Sequence, residues 1–433
     1  MSQDTLMNRQ ALYLRPDPTR VIVRPFKPAT EPRDLNPTDK TRANHIVDRV
    51  LALDSEAVAS QLADVLENFL GRHRNLLDKF ESRANEMEEA FAAHGNFSKI
   101  QRQLIGAYFL HEYSFEASAL FNPSIVPHPD QSGAPKGGLR FILSLRAIGE
   151  GHVSSLTFRA GTLAADGSLV IDPTARLASS PRIGHRASGP DGEHVELIFN
   201  PEEELSERVV FPVTESQANG IEDVRFVEFR DGVNRTYYAT YTAYSGRGIR
   251  SELIETHDFL SFRLAPLKGL ASRNKGMALF PRKIGGKYAM IARQDNENLY
   301  LIYSDDLYTW NDGAQPILKP EFPWEFVQIG NCGSPIELDE GWLLLTHGVG
   351  PVRKYSIGAA LLDKDDPSKV LARSHEPLLR PEPSEREGYV PNVVYTCGAI
   401  RHNDQIILPY AVSDTFSNFA TIKTSALMRA LKG

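Results

Sequence analysis

The sequence predicts a mainly β protein, a five-bladed β-propeller preceded by a mostly helical N-terminal region, and three observations carry that expectation. From about residue 37 to 112 the chain is rich in helix formers with capping residues and apolar spacing. After Phe121 it changes to short aromatic and β-branched runs punctuated by Gly, Asn-Asp and Asp-Gly. Five of those later segments resemble one another loosely, at residues 138–169, 224–262, 278–310, 341–370 and 393–427.

Taken in order, Leu12-Tyr13-Leu14 and Val21-Ile22-Val23 are two short strand-like runs split by proline. Asn36-Pro37-Thr38-Asp39 and Asp54-Ser55-Glu56 are helix starts, and Val65, Leu66, Phe69 and Leu70 recur at helical spacing. Residues 81–93 intersperse charges with few apolar groups, which suits a solvated face or an inter-subunit arm. Residues 1–115 are therefore expected as a helical region that serves self-association, and 116–433 as the β domain. Each later segment has a strand, a polar turn and a second strand leading to an acidic turn, as in Leu299-Tyr300-Leu301-Ile302-Tyr303-Ser304-Asp305. Four-stranded units spaced about sixty residues apart fit blades of a closed ring, which leaves few open sheet edges. A pair of β-sandwiches is the alternative, and only the last ten residues return to helix.

Composition narrows the function. The chain has 433 residues, 41% of them hydrophobic, enough for a large core. No apolar run approaches the roughly 18 residues that span a bilayer, and the start resembles no secretory signal, so a cytoplasmic protein is expected. A net charge of -7 argues against nucleic acid as a partner, since such binders need a basic footprint. Cys332 and Cys397 are the only cysteines and have no metal-ligand spacing, so neither a disulfide framework nor a metal site is expected. The Gly-rich pieces sit in hairpin turns with no following helix, so no nucleotide loop and no organic cofactor is expected.

The chemistry-bearing residues cluster at predicted inner strands. Gly220-Ile221-Glu222-Asp223-Val224-Arg225 puts two carboxylates and an arginine at a strand start, where an unpaired charge would cost several kcal/mol to bury. A regular strand would turn Asp223 and Arg225 to one face and Glu222 to the other; a structural ion pair is the plain alternative. Asn122 and Arg146 fall in the first segment, Arg273, Asn274, Lys275 and Arg293 in the third, His347 and Tyr355 in the fourth, and Asp414 in the fifth. Singly each has a structural explanation: Arg146 could leave the sheet, and His347 could be a satisfied core histidine. One such group per blade at the matching strand is what a shared central site requires. The set suits attack on a glycoside by an anion. One carboxylic acid protonates the leaving oxygen while cations hold phosphate as nucleophile, or a second carboxylate activates water. Asp223 is the candidate acid, its pKa raised by enclosure, by Asp414 or by bound phosphate, and lowered by Arg225.

At these residues the chain resembles glycoside hydrolase family 130, the mannoside phosphorylases and β-mannosidases. The resemblance covers about residues 120 to 420. It rests on ordered motifs: Phe121-Asn122-Pro123-Ser124, Leu143-Ser144-Leu145-Arg146, Ile221-Glu222-Asp223-Val224-Arg225, Leu279-Phe280-Pro281-Arg282-Lys283-Ile284-Gly285-Gly286-Lys287-Tyr288, Gly341-Trp342-Leu343 through His347-Gly348-Val349, and the run from Tyr355 to Asp363. It implies a five-bladed propeller that cleaves β-1,2- or β-1,4-mannosides with inversion. Asp223 would be the proton donor, in some members acting through a hydroxyl of the bound mannose. Asn122, Arg146 and Asp414, with Arg225, would hold sugar, and Arg273, Asn274, Arg293, His347 and Tyr355 would hold phosphate. Because the phosphate set is kept, the resemblance implies phosphorolysis to α-mannose 1-phosphate, with phosphate as co-substrate and no cofactor. An inverting β-mannosidase, with Glu222 or Glu150 beside the water, is the alternative, and a non-catalytic sugar-binding propeller is a third. Val224 replaces the family's proline, Gln328 replaces a lysine, and Gly149-Glu150-Gly151-His152 departs from the common pattern as a polar hairpin turn that could shape substrate choice.

Overall fold

A computed structural model describes residues 6–29, 40–88, 96–187, 193–311 and 315–432. The helix start expected at Asn36-Pro37-Thr38-Asp39 and the end of the charged stretch 81–93 lie outside those residues. The described chain forms two compact units.

The smaller unit comprises Thr19–Ser114 with Ala175–Ser180. Four helices form where caps and apolar spacing coincide: α1 (Arg42–Leu51), α2 (Ser55–Phe69), α3 (Leu76–Glu86) and α4 (Lys99–Tyr108). Asp54 accepts from the Ala57 N–H at 2.8 Å, as Asp54-Ser55-Glu56 predicts, and Ser98 with Gln101 closes a capping box on α4. Val47, Val50, Val58, Leu104, Ile105 and Phe109 form one core cluster. Gly106 permits α3 and α4 to touch, because a Cβ there would stand 1.8 Å from the Phe80 carbonyl oxygen. Spacing alone misjudged the buried face of α2: Val58 and Leu62 are buried, while Phe69 and Leu70 are 37% and 55% exposed. Ile22–Pro25 pairs antiparallel with Leu110–Tyr113.

The larger unit is built from antiparallel meanders. The first runs Ala119–Pro127, Leu139–Ile148, Ser154–Leu163 and Leu169–Ile171. The second runs Gly220–Asp231, Asn234–Tyr244, Ile249–Thr256 and Ser261–Pro266, and is extended at its edge by His194–Ile198 and Arg182–Ala187. The third spans Ala278–Leu279 to Pro316–Leu318, the fourth Gln328–Asn331 to Val370–Arg373, and the fifth holds Val394–Tyr395, Gln405–Val412 and Phe416–Lys423. The fifth sheet is completed by Asn8–Arg9, which pairs with Thr421 and Ala420. That pairing carries the start of the described chain into the β unit, and a two-residue strand is too short to announce itself in sequence. The five segments expected from repetition thus coincide with five meanders, and the chain is mainly β.

Inner strands lie between neighbours on both faces, so they read as continuous apolar runs; all nine residues of Gly341–Val349 are buried. The cores alternate with the meanders. Phe158 of the first packs with Phe226 and Tyr237 of the second; Phe229 with Met290 and Trp310 of the third; Ile291 and Leu301 with Trp342 and Leu344 of the fourth. Leu343 and Ile357 then pack with Ile406, Leu408 and the C-terminal helix α5 (Thr424–Lys432), and Ala119, Phe121 and Ile148 pack with Val393, Tyr395 and Ala411, the fifth meander on the first. Among the described residues no helix is long and apolar enough to cross a membrane.

Candidate active site

Strand and loop residues of the β unit line a cavity of about 330 Å³ whose lining includes five cations, Arg146, Arg225, Lys275, Arg293 and Arg353, and three carboxylates, Glu222, Asp223 and Asp414. Two bulges aim the central pair of side chains. Ala119–Pro127 slips register against its neighbour between Phe121 and Ser124, and Gly220–Asp231 does so between Glu222 and Arg225. Asn122 (φ +48°) and Asp223 (φ +52°) sit in these bulges in the left-handed region, which Asn and Asp tolerate better than most side chains. A bulge interrupts alternation. Glu222, Asp223 and Arg225 therefore all reach the cavity, which corrects the regular-strand expectation that turned Glu222 away.

Asn122 Nδ2 donates to Asp223 Oδ1 at 2.6 Å. Arg146 donates to Glu222 Oε1 at 2.6 Å, to Asp223 Oδ1 at 3.4 Å, and through Nε to Ser154 Oγ at 2.9 Å, while its guanidinium lies 5.1 Å from the Phe121 ring centroid. Enclosure pushes the Asp223 carboxyl up, but Arg146, Arg225 and Lys275, with the bond from Asn122, outweigh it and hold Asp223 well below the usual carboxylate range. Asp414 goes the other way: burial pushes it up, Arg146 pulls against that, Asp223 adds to the rise, and it stands at about 6.

A second cluster surrounds His347. Arg225 donates to the Tyr395 hydroxyl at 2.6 Å and to the Asp223 carbonyl at 2.9 Å. Arg293 Nη1 lies 3.5 Å from His347 Nε2, and the imidazole stacks on Tyr355 with centroids 5.8 Å apart and meets Tyr395 edge-on at 4.9 Å. Burial, Arg293 and Arg225 drive the His347 pKa well below its usual value, so the ring is neutral. Gly330 makes room for it, since a Cβ there would stand 2.2 Å from His347 Cε1. Cys332 lies beneath, its Sγ 3.9 Å from His347 Nδ1, with a thiol that burial pushes up to about 12.

Of the residues singled out from sequence, Asn122, Arg146, Asp223, Arg225, Arg293, His347, Tyr355 and Asp414 line this one cavity. Arg273 and Asn274 do not. Arg273 is exposed, and Asn274 is engaged in the backbone turn, its Oδ1 accepting from the Lys275 N–H at 2.8 Å and its carbonyl from Ser251 Oγ at 2.5 Å. The cation of that run that reaches the cavity is Lys275. Tyr395, Arg353 and Asn296 escaped the sequence reading. Tyr395 sits in the apolar run Val393-Val394-Tyr395, which reads as core, and Arg353 and Asn296 lie in hairpin loops and carry positive φ (+54° and +64°), a property without a sequence signature at Arg353. Among the described residues no cluster of three His, Cys, Asp or Glu is placed to hold a metal ion.

The profile of a family described as beta-1,4-mannooligosaccharide phosphorylase matches residues 187–433. A beta-1,2-mannobiose phosphorylase of Thermoanaerobacter sp. (strain X514) is 36% identical over 327 residues, 72% of this chain and 93% of the relative. A 1,2-beta-oligomannan phosphorylase of the same organism is 38% identical over 224 residues, 51% of this chain and 73% of its own length. The fold matches the structure of a Listeria innocua beta-1,2-mannobiose phosphorylase in complex with beta-1,2-mannobiose, with a TM-score of 0.53 and 22% identity over 73% of this chain and 92% of the other.

Proposed function

Because the chain belongs to glycoside hydrolase family 130, we propose that it is an inverting β-mannoside phosphorylase that cleaves β-1,2- or β-1,4-mannosides with inorganic phosphate and releases α-mannose 1-phosphate. The observation that carries this reading is the charge of the cavity. Its cations outnumber its carboxylates by two, the charge of a phosphate dianion. Several of those cations are not neutralised from within: among the described residues, Arg225 and Arg293 bond neutral groups and have no carboxylate at ion-pair distance.

In this proposal Asn122, Arg146 and Asp414 hold the mannosyl unit, while Arg293, His347 and Tyr355, joined by Lys275 and Arg225, hold phosphate against C1. A phosphate oxygen forms the new bond to C1 as the bond from C1 to the leaving oxygen breaks, and that oxygen takes the proton of Asp223, directly or through a mannose hydroxyl. The low pKa of Asp223 belongs to the anion-free cavity, since a dianion cancels the field of the cations that depress it. Hydrolysis would need a carboxylate across the sugar from the acid, with a carboxyl separation of roughly 6.5–9.5 Å. Glu222 shares the Arg146 guanidinium with Asp223, which favours a position beside the acid over one across the sugar from it, and Glu150 is exposed outside the lining.

Further parts of the proposal are a five-bladed propeller, supported by five meanders whose cores run from each to the next and from the fifth to the first, a cytoplasmic location that retains the charged product, and self-association through the helical unit, which a solution mass measurement decides. The function is tested by supplying β-1,2- and β-1,4-mannobiose with and without phosphate. Mannose 1-phosphate should form only with phosphate; equal release of free mannose in both would identify a hydrolase, and sugar binding without turnover a lectin-like propeller.

A further inference from the structure

The mechanism leaves the turn at Gly149-Glu150-Gly151-His152 without a role, yet its backbone is repeated elsewhere in the β unit. Residues 149–153 and 350–354 each join the second and third strands of a meander, the first and the fourth. Gly149 and Gly350 have φ/ψ of -110°/-157° and -106°/-162°, Gly151 and Val352 have 69°/14° and 56°/31°, and Val153 and Lys354 have -76°/121° and -75°/120°. His152 and Arg353 stand at matching positions with φ of +58° and +54°. In both loops the first N–H approaches the fifth carbonyl, at 3.5 and 2.9 Å. Left-handed backbone at a valine, an arginine and a histidine is strained, and such strain persists where the surroundings hold a side chain in one place, as at ligand clamps.

The matching position tells what that place is. Arg353 lines the cavity, its guanidinium 5.9 Å from the Tyr355 ring centroid. His152 meets an aromatic ring in the same way, with Nδ1 3.1 Å from the Tyr389 hydroxyl and the rings 5.6 Å apart at 31°. Both chain segments run directly into the site. Tyr389 precedes the lining residue Val390, and its N–H donates at 2.9 Å to Thr415 Oγ1, beside Asp414. The His152 loop ends at Ser154, whose Oγ accepts from Arg146. Tyr389 is nonetheless 54% exposed and His152 is exposed, so an aromatic pair with two polar edges faces solvent one residue from the lining at Val390.

An oligosaccharide whose terminal mannosyl unit occupies the cavity has to extend out of it, and this exposed pair joins chain segments that border the cavity at Val390 and, through Ser154, at Arg146. We propose that Tyr389 and His152 form a platform for the leaving sugar, the aromatic faces covering its C–H face and the hydroxyl and imidazole meeting its hydroxyls, and so select the acceptor. This rests on the mannoside phosphorylase reading.

The experiment is synthesis from α-mannose 1-phosphate with mannose as acceptor, for the wild type, Tyr389→Ala, Tyr389→Phe and His152→Ala. Tyr389→Ala should raise the acceptor KM by about tenfold and leave the KM for α-mannose 1-phosphate within about twofold, and His152→Ala should act in the same direction more weakly. Tyr389→Phe, which keeps the ring, should fall between the wild type and Tyr389→Ala. An unchanged acceptor KM in Tyr389→Ala, or equal rises in both constants, overturns the platform. A wild type that releases mannose without phosphate defeats the phosphorylase reading instead. Calorimetric titration of β-1,2-mannobiose into wild type and Tyr389→Ala then still decides the platform, supported by weaker binding to the variant and refuted by equal binding.

Discussion

The Arg146 cluster and the Arg293 cluster line the same cavity but treat charge in opposite ways. Around Arg146 opposite charges meet directly: its guanidinium bonds Glu222 at 2.6 Å and Asp223 at 3.4 Å, and the neutral Asn122 amide closes on the same aspartate at 2.6 Å. Around Arg293 the partner is the neutral His347 imidazole, which itself packs on the rings of Tyr355 and Tyr395. A cluster held by ion pairs fixes geometry, so its side chains are oriented before substrate arrives. An unneutralised one keeps its field for a ligand. At an effective dielectric of 20 a charge pair 4 Å apart attracts by about 4 kcal/mol, enough to make the anion the natural completion of the second cluster. The difference suits the proposed division of labour, proton delivery by the first group and anion binding by the second.

The sharpest way to break this comparison is Asp223→Asn. The amide is isosteric and can keep a hydrogen bond with Asn122, but it has no proton to give. Turnover of mannobiose should fall by roughly 10² to 10⁴-fold, the usual contribution of a general acid, with little change in sugar binding. Activity within tenfold of the wild type would take the acid role from Asp223. Next in size is removal of charge from the second cluster. Arg293→Ala should raise the phosphate KM by about tenfold or more and change the mannobiose KM little, because a charge-assisted bond of roughly 1.5–3 kcal/mol is lost to one substrate only. Lys275→Ala should act in the same direction and Arg273→Ala hardly at all, since Lys275 lines the cavity and Arg273 is exposed. The reverse order for the two neighbours would restore Arg273 to the phosphate site.

These neighbours show where the sequence runs out. The five meanders were legible because each strand pair needs its own apolar runs and its own turn, and both leave a local pattern. Asp223, Arg293 and His347 were legible because a charged or ring-nitrogen side chain next to a buried run has to be paired or used. The choice between Arg273 and Lys275 depends instead on the bends of the backbone through residues 273–275, followed by Gly276 at φ +86°, which follow no strand alternation. Tyr395 was hidden because a tyrosine in an apolar strand looks like core until Arg225 is seen to donate to its hydroxyl at 2.6 Å. The bulges were hidden for a similar reason. An extra residue in one strand is defined by its partner strand, so the alternation that placed Glu222 on the far face could not register it.

The smallest expected effect tests the electrostatics of the first cluster through stability. Asp414 is pushed up to about 6 by burial against the pull of Arg146, with Asp223 adding to the rise. In the unfolded chain it titrates near its ordinary value of about 3.9. Between those values the folded protein holds more protons than the unfolded one, so this residue's contribution to stability falls as pH rises from about 4 to about 6. Two units correspond to at most roughly 3 kcal/mol, and solvent in the open cavity reduces that to on the order of 1–2 kcal/mol. Asp414→Asn removes the titration and keeps a residue suited to the positive φ of +50°. Asp223 does not mask the effect: its pKa is depressed, so its contribution is present above the unfolded value and is lost only as pH falls below it. Denaturant midpoints measured for both proteins from pH 4 to 7 should therefore diverge, the variant gaining on the wild type up to about pH 6 and holding its lead beyond. Parallel curves would mean that Asp414 is ionised throughout, and that Arg146 offsets the burial of three carboxylates rather than two.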